Sequence, residues 1–283
     1  FDLEWNQCPY GKARENEKLP FEIIEIGAVK LNEKKEILDT FHQLVRPVIY
    51  RKMHFRTKEI VSLTIEELDN GKLFHDAAED FLTWCGSAFR FCTWGTLDLT
   101  EFQRNLAYYY MEELLPGPVL YEDVQKLFAL TYETRRDRRA LSYAAEFLKL
   151  DESGEFHQAL EDAIYTARIL QKIPDDIILA NYSIDCFQNP KGKEEEIRIR
   201  YDTYEKFISR EFNTKEDVME DREVTAVHCF LCHKNVKRKV KWFSDNGRNH
   251  FAVGYCEDHG YVKSKVRVRQ AAEEFRALER VIA

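Results

Sequence analysis

The 283-residue chain contains no run of about 18 apolar residues, so neither a membrane-spanning helix nor a membrane partner is expected. No secretory leader is visible. The seven cysteines are an odd number, and four of them stand alone, which is not the framework of a disulfide-stapled protein. A reducing, cytoplasmic setting is the expectation. No internal repeat is evident, so a repeat architecture has no support. The chain opens inside what reads as a strand, so residues are expected to precede Phe1.

What is present is a globular composition, 44% hydrophobic and 33% charged, long enough for one large core and a smaller module. The net charge of -8 is unevenly spread. From Val224 to the end there are 12 Lys+Arg against 6 Asp+Glu, a balance of +6, which leaves -14 on the remainder. A basic tail on an acidic body suits contact with a polyanion; variation of surface charge along the chain is the plainer alternative.

Phe1–Trp5, Phe21–Leu31 and Ile37–Val45 read as strands, with a turn at 32–36. Residues 47–63 read as irregular, with a short helix after Thr64. Helical spacing follows over 75–85, 98–115, 122–130, 141–148 and 158–173, with strands at 88–94 and 119–120. Strands first and then strand–helix alternation indicate a mixed α/β domain over 1–175. Residues 176–223 are highly charged and read as a mostly helical linking segment. Residues 224–283 form a third, basic module.

In Phe1-Asp2-Leu3-Glu4-Trp5, alternation places Asp2 and Glu4 on one face. Two adjacent carboxylates repel unless positive charge lies between them, and Mg²⁺ is a usual occupant of such an oxygen site. Asp98 follows a strand and Gly95, and Asp98-x-x-Glu101 also reads as a helix N-terminus with Asp98 as cap. In His157-Gln-Ala-Leu-Glu-Asp162 the histidine enters a helix whose apolar face includes Ala159, Ala163, Ala167 and Leu170. Asp162 lies one turn inside that helix, and the adjacent Glu161 is the alternative ligand. Taken singly, His157 and Asp162 could be ordinary surface residues.

Together these segments resemble the DEDDh family of 3′→5′ exonucleases. Asp2-Leu-Glu4 resembles its first motif, Trp94-Gly-Thr-Leu-Asp98 its second and His157-Gln-Ala-Leu-Glu-Asp162 its third. Ile23-Ile-Glu-Ile-Gly-Ala-Val29 and Val45-Arg-Pro47 are similar to the strands between them. The resemblance covers roughly residues 1–175. The Trp-Gly-x-x-Asp form is most similar to the exoribonuclease branch named for enhanced RNA interference, whose bacterial relatives are labelled as inhibitors of a sporulation-kinase pathway. Thr96 departs from the acidic residue many relatives carry there. The resemblance implies a ribonuclease H-like mixed β-sheet with flanking helices. It also implies two Mg²⁺ or Mn²⁺ ions on Asp2, Glu4, Asp98 and Asp162, with His157 as general base. The implied substrate is a single strand or 3′ overhang, RNA favoured, cut to nucleoside 5′-monophosphates. Trp5 and Asn6 are candidate contacts for the terminal nucleotide, with a core role for Trp5 as the alternative. A DNA-directed enzyme and a non-catalytic binding protein remain the competing readings.

Cys229-Phe-Leu-Cys232 and Cys256-Glu-Asp-His259 are two ligand pairs with 23 residues between them, suited to one structural Zn²⁺ in a small C-terminal domain. His228, His233 and His250 are less well spaced than His259. Lys237, Lys241 and Trp242 lie between the pairs, and Lys263-x-Lys265-x-Arg267-x-Arg269 follows. Cations aligned on strands could track a phosphate backbone, with Trp242 or Phe243 stacking on a base. The alternative is a lysine-protected edge strand with Trp242 in a small core.

Overall fold

The computed structural model describes residues 1–133, 137–150, 157–201, 203–270 and 275–282. They form two compact units, Phe1–Phe187 and Gln188–Ala283. No helix among the described residues is long and apolar enough to cross a membrane.

The first unit begins with an antiparallel meander, β1 (Asp2–Gln7), β2 (Phe21–Leu31) and β3 (Ile37–Leu44). Leu3 of β1 points into an aromatic core with Phe1, Phe81 and Phe102, which leaves Asp2 and Glu4 on the other face. The register slips between Glu4 and Trp5. Three helices follow, α1 (Phe55–Ile60), α2 (Ile65–Leu68) and α3 (Phe74–Cys85). Helix α1 lies where the sequence reads as irregular. It is one and a half turns long, too short for an apolar period to show, and its cap is the His54 ring accepting from the Arg56 N–H. At α2, Thr64 and Glu67 form a reciprocal capping box.

The second half of the unit is β4 (Phe91–Thr93), α4 (Leu97–Tyr108), β5 (Val119–Asp123), α5 (Val124–Tyr132), α6 (Leu141–Phe147), α7 (Ala159–Lys172), α8 (Asp175–Ala180) and β6 (Ser183–Asp185). Strands β4 and β5 are parallel, and β6 is antiparallel to β5. Helix α4 stops at Tyr108 rather than near residue 115, and Tyr110 there has φ +58. Helix α7 buries Ala159, Ala163, Ala167 and Leu170, the face expected from its spacing.

The second unit holds β7 (Ile197–Arg200), β8 (Tyr204–Phe212), α9 (Lys215–Glu220), α10 (Arg222–Thr225), β9 (Lys237–Ser244), β10 (Asn249–Cys256), β11 (Gly260–Gln270) and β12 (Phe275–Ile282). Its six strands form one antiparallel sheet in the order β7-β8-β12-β11-β10-β9. The expected helical linker over 176–223 is therefore corrected. Residues up to 187 belong to the first unit, and most of the rest is strand and short helix of the second. Charged residues of this segment form ion pairs within the unit. Arg198 reaches the almost fully buried Glu205 at 2.6 Å, and Arg210 reaches Glu196 at 2.6 Å. These pairs hide a period-two pattern, Ile197-Arg-Ile-Arg200, behind a high charge density.

Candidate active site and thiolate cluster

Asp2, Glu4, Asp98 and Asp162 line one cavity of about 230 Å³. Each arrives by a different route. Asp2 and Glu4 are set by the alternation of β1. Asp98 is set by the β4–α4 turn, where Gly95 adopts φ +101, a left-handed conformation that a side chain would strain. Thr93 holds this turn by donating its hydroxyl to the Gly95 carbonyl at 2.8 Å. Asp98 is not the helix cap. Thr96 occupies that position without a side-chain cap bond, and Asp98 lies in the first turn. Its Oδ1 accepts the Leu3 N–H at 3.3 Å, which ties α4 to β1 beside the two carboxylates.

Asp162 is placed by a close approach. A Cβ on Gly27 of β2 would lie 2.1 Å from the backbone of Ala159 and Leu160. Only glycine lets the start of α7 rest directly on β2, opposite Asp2 in the strand register. The Ala159 N–H points to Glu25 Oε2 at 3.4 Å, a second tie between the same elements. Asp162 is 8% exposed. Its Oδ2 accepts the His157 N–H at 3.2 Å, fixing a residue two positions before the helix, where φ is +70. The His157 ring is exposed, and one of its nitrogens lies with carboxylate oxygens of Glu4 and Asp162 in a group no wider than 4.8 Å.

Burial raises the pKa of all four carboxyls; neighbouring carboxylates add to it, while the N-terminal ammonium near Asp2 and Asp98 and His157 beside Asp162 oppose it. Burial first, then Asp98, Asp162 and Glu4, hold Asp2 well above the usual aspartate range. Burial and then Asp162, Glu25 and Asp98 push Glu4 up to about 8. Burial pushes Asp98 and Asp162 each up to about 6. Four such groups ionise together only around positive charge. Asp162 Oδ1 is buried and has no hydrogen-bond partner among the described residues. An all-oxygen donor set with an orphaned carboxylate oxygen fits a hard divalent cation.

Trp5 lines the cavity with Trp94, Leu97 and Leu141 while also packing on Phe21, so its two sequence readings both have a place. Leu97 and Leu141 carry no chemical signal and were not singled out in the sequence. Glu25 was also missed as a site residue. It sits opposite Glu4 and binds His42 Nε2 at 2.7 Å. Asn6 is corrected. It is fully buried, donates to the Tyr50 and Lys52 carbonyls and accepts from the His54 N–H, so it anchors residues 50–54 and is not presented to a nucleotide.

In the second unit, Cys229, Cys232, Cys256 and His259 converge, with ligand atoms within 4.8 Å of one another. Cys229 Sγ and Cys256 Sγ each lie 3.6 Å from His259 Nδ1, and Cys232 Sγ lies 3.6 Å from Cys256 Sγ. A tetrahedral Zn²⁺ with arms of about 2.3 Å has edges of about 3.8 Å, so the group matches one coordination sphere. The other histidines lie elsewhere: His228 beside Arg198, His233 beside Glu205 and His250 buried. Trp242 is corrected as a stacking residue. It packs into both small cores of the unit and donates Nε1–H to the Thr225 carbonyl at 3.1 Å. Lys237 and Lys241 are exposed on β9.

The chain is 27% identical over 183 residues to a protein named probable 3'-5' exonuclease KapD of Bacillus subtilis, covering 62% of this chain and 83% of that one. It is 25% identical to 3'-5' exoribonuclease 1 of Rattus norvegicus over 55% of this chain, but spans only about half, 47%, of the rat protein. Among solved structures, the nuclease domain of 3'hExo, described as a DEDDh family member bound to rAMP, superposes with a TM-score of 0.55 at 24% identity, over 64% of this chain and 93% of that one. A structure described as 3'-end specific recognition of histone mRNA stem-loop by 3'-exonuclease gives 0.53 at 23% identity, over 66% and 86%. The first unit thus has the mixed α/β fold of DEDDh nuclease domains. Residues 15–170, more than half of the chain and including Asp98, His157 and Asp162, match the family described as Exonuclease. The chain belongs to the exonuclease family, RNase_T.

Proposed function

We propose that this exonuclease removes nucleotides one at a time from the 3′ end of a nucleic acid, with RNA as the preferred substrate and nucleoside 5′-monophosphates as products. The observation that carries the reading is the convergence of Asp2, Glu4, Asp98 and Asp162 on one cavity, with the His157 ring beside Glu4 and Asp162. The four carboxylates would hold two Mg²⁺ or Mn²⁺ ions, which when bound supply positive charge for the phosphate oxygens and acidify a water. His157 accepts the proton of the attacking water, the task of a general base within reach of the reacting atoms. The water oxygen bonds to phosphorus and the bond to the 3′ oxygen of the penultimate nucleotide breaks; that oxygen takes up a proton from solvent to become a 3′-hydroxyl, and the terminal nucleoside 5′-monophosphate is released. Asp162 has a second part: its Oδ2 holds the backbone of His157. Trp5, Trp94, Leu97 and Leu141 form the apolar walls that receive the terminal nucleoside. The preference for RNA rests on the names of the relatives.

The test is digestion of 5′- and 3′-labelled RNA and DNA with Mg²⁺, Mn²⁺ or chelator, with products sized on a gel. Metal-dependent shortening from the 3′ end, faster for RNA, is expected. Failure to shorten any strand would sink the reading. For the second unit we infer one structural Zn²⁺ on Cys229, Cys232, Cys256 and His259. Elemental analysis should return about one zinc per chain.

A further inference from the structure

Strands β9, β10 and β11 together carry eight Lys and Arg residues and no Asp or Glu. Their register sorts these residues by face. Opposite one another lie Tyr255 and Tyr261, Val253 and Lys263, Phe251 and Lys265, and Asn249 and Arg267. On the other side of β10, Phe243 lies opposite Phe251 and Lys237 opposite Tyr255. Directly paired residues share a face, so four aromatic rings and a set of cations lie on one side of this part of the sheet. The opposite side, with Ala252, Cys256, Val262, Ser264 and Val266, is buried.

The aromatic face is open. Phe243 is 54% exposed, Tyr261 66% and Tyr255 38%. The rings and cations are interleaved rather than segregated. Lys239 Nζ lies 5.5 Å from the Tyr255 ring, Lys265 Nζ 5.6 Å from the Phe251 ring, and Phe243 and Phe251 are 5.9 Å apart. Edge protection explains lysines on β9, which ends the sheet. It does not explain the cations of β11, an interior strand between β10 and β12. Solvation alone does not explain a concentration of exposed rings on the same face, since isolated surface aromatics need no such clustering.

We propose that the exposed face of β9, β10 and β11 is a binding platform for single-stranded nucleic acid. Bases stack on Phe243, Phe251, Tyr255 and Tyr261, and phosphates run along Lys237, Lys263, Lys265 and Arg267. The chemistry favours a single strand, because rings lying on a sheet need unpaired bases. Three strands are about 10 Å across, wide enough for two or three stacked nucleotides. The proposal deepens the nuclease reading by adding a substrate-holding surface in the second unit, and it replaces Trp242 with exposed rings as the stacking residues.

The test uses the full chain carrying Asp162→Asn to prevent digestion, and a fluorescein-labelled single-stranded RNA of 12 nucleotides followed by anisotropy. Phe243→Ala with Tyr261→Ala should weaken binding about tenfold or more with an unchanged salt dependence. Tyr261→Phe should retain the parent affinity. Lys263→Gln with Arg267→Gln should weaken binding and reduce the log–log salt slope by about 1.4. Zinc content and thermal unfolding verify that the variants fold. Affinities within twofold of the parent for both double variants would overturn the proposal. So would displacement of RNA by polyaspartate at equal charge with no effect of the aromatic pair, which would assign the face to an acidic protein. Digestion of a dinucleotide by the chain with native Asp162 separates the two readings. If it proceeds while no face variant weakens RNA binding, the platform alone fails. If no strand is digested but the face variants weaken binding, the nuclease reading alone fails.

Discussion

The acidic cluster of the first unit draws its side chains from β1, α4 and α7, separated by up to 160 positions, whereas the thiolate cluster of the second unit comes from two short turns 24 residues apart. The first is assembled by a core that exists without it. The aromatic cluster around Phe1, Phe81 and Phe102 and a second one around Leu127, Phe128 and Ile169 hold the elements in place. The second cluster is itself part of a core. Among the described residues, Cys229 and Cys256 cluster with just three other buried residues, Val227, Ala252 and Val262. Buried carboxylates destabilise the fold that holds them, whereas a zinc ion held by the Cys/His cluster would stabilise its fold. The same word, metal site, therefore stands for opposite relations between ligand and fold.

The sharpest way to break this contrast is Cys229→Ser. A structural zinc contributes on the order of 10 kcal/mol of apparent binding free energy to a small domain. The variant should lose its zinc and the cooperative unfolding of the second unit, while a dinucleotide is still cleaved. Elemental analysis and calorimetry check the first part. A fully folded second unit without zinc would show that the cluster is not a structural site.

Asp162→Asn should do the reverse, lowering hydrolysis by about a thousandfold with no loss of melting temperature, as expected when one charge aimed at a transition state is removed. An unchanged rate would remove Asp162 from the reaction. The same carboxylates predict a pH dependence. Their folded-state pKa values lie above the ordinary values of 3.8 and 4.5, at about 6 for Asp98 and Asp162 and about 8 for Glu4. The folded state thus binds protons more tightly than the unfolded state. Stability of the Mg²⁺-free protein should fall as pH rises from about 4 to about 8, and added Mg²⁺ should flatten that slope. Thermal melts at a series of pH values measure it, and a slope of the opposite sign would contradict the raised values.

Gly27→Ala tests whether the acidic site depends on the packing beneath it. The added Cβ would meet the Ala159 and Leu160 backbone at 2.1 Å, so α7 must move. A loss of about 1–3 kcal/mol in stability is expected from overpacking. A drop of about a hundredfold in rate is expected from displacing Asp162 and His157 by an ångström or so. Chemical denaturation and kinetics should show both, and an undiminished rate would mean that the helix position does not matter.

Legibility in the sequence follows the same division. The meander and the acidic residues could be read because alternation and motif spacing are local, and each names a residue type with its own chemistry. Gly27 was visible only as part of a strand, because a close approach leaves no mark beyond the glycine itself. Asn6 looked free because its partners, the backbone of residues 50–54, are not encoded by side-chain type. Strands β7 and β8 were hidden because Glu205 and Glu196 are charges turned inward to Arg198 and Arg210. The Cys and His ligands were legible because each turn carries its own pair.

The smallest effect expected separates structure from surface within the second unit. Trp242 touches both small cores and makes one hydrogen bond, to the Thr225 carbonyl. Trp242→Phe keeps an aromatic in place, removes that bond and leaves part of the indole volume unfilled. The cost should be about 1–2 kcal/mol, read as a lowered melting temperature of the second unit. Affinity for single-stranded RNA should not change, because the ring faces the cores rather than the platform. A variant that folds normally yet binds RNA tenfold more weakly would return Trp242 to the stacking role that its sequence neighbourhood suggests. The contrast between it and the adjacent Phe243 would then fail, since one-residue alternation along β9 is what assigns Trp242 to the fold and Phe243 to the ligand.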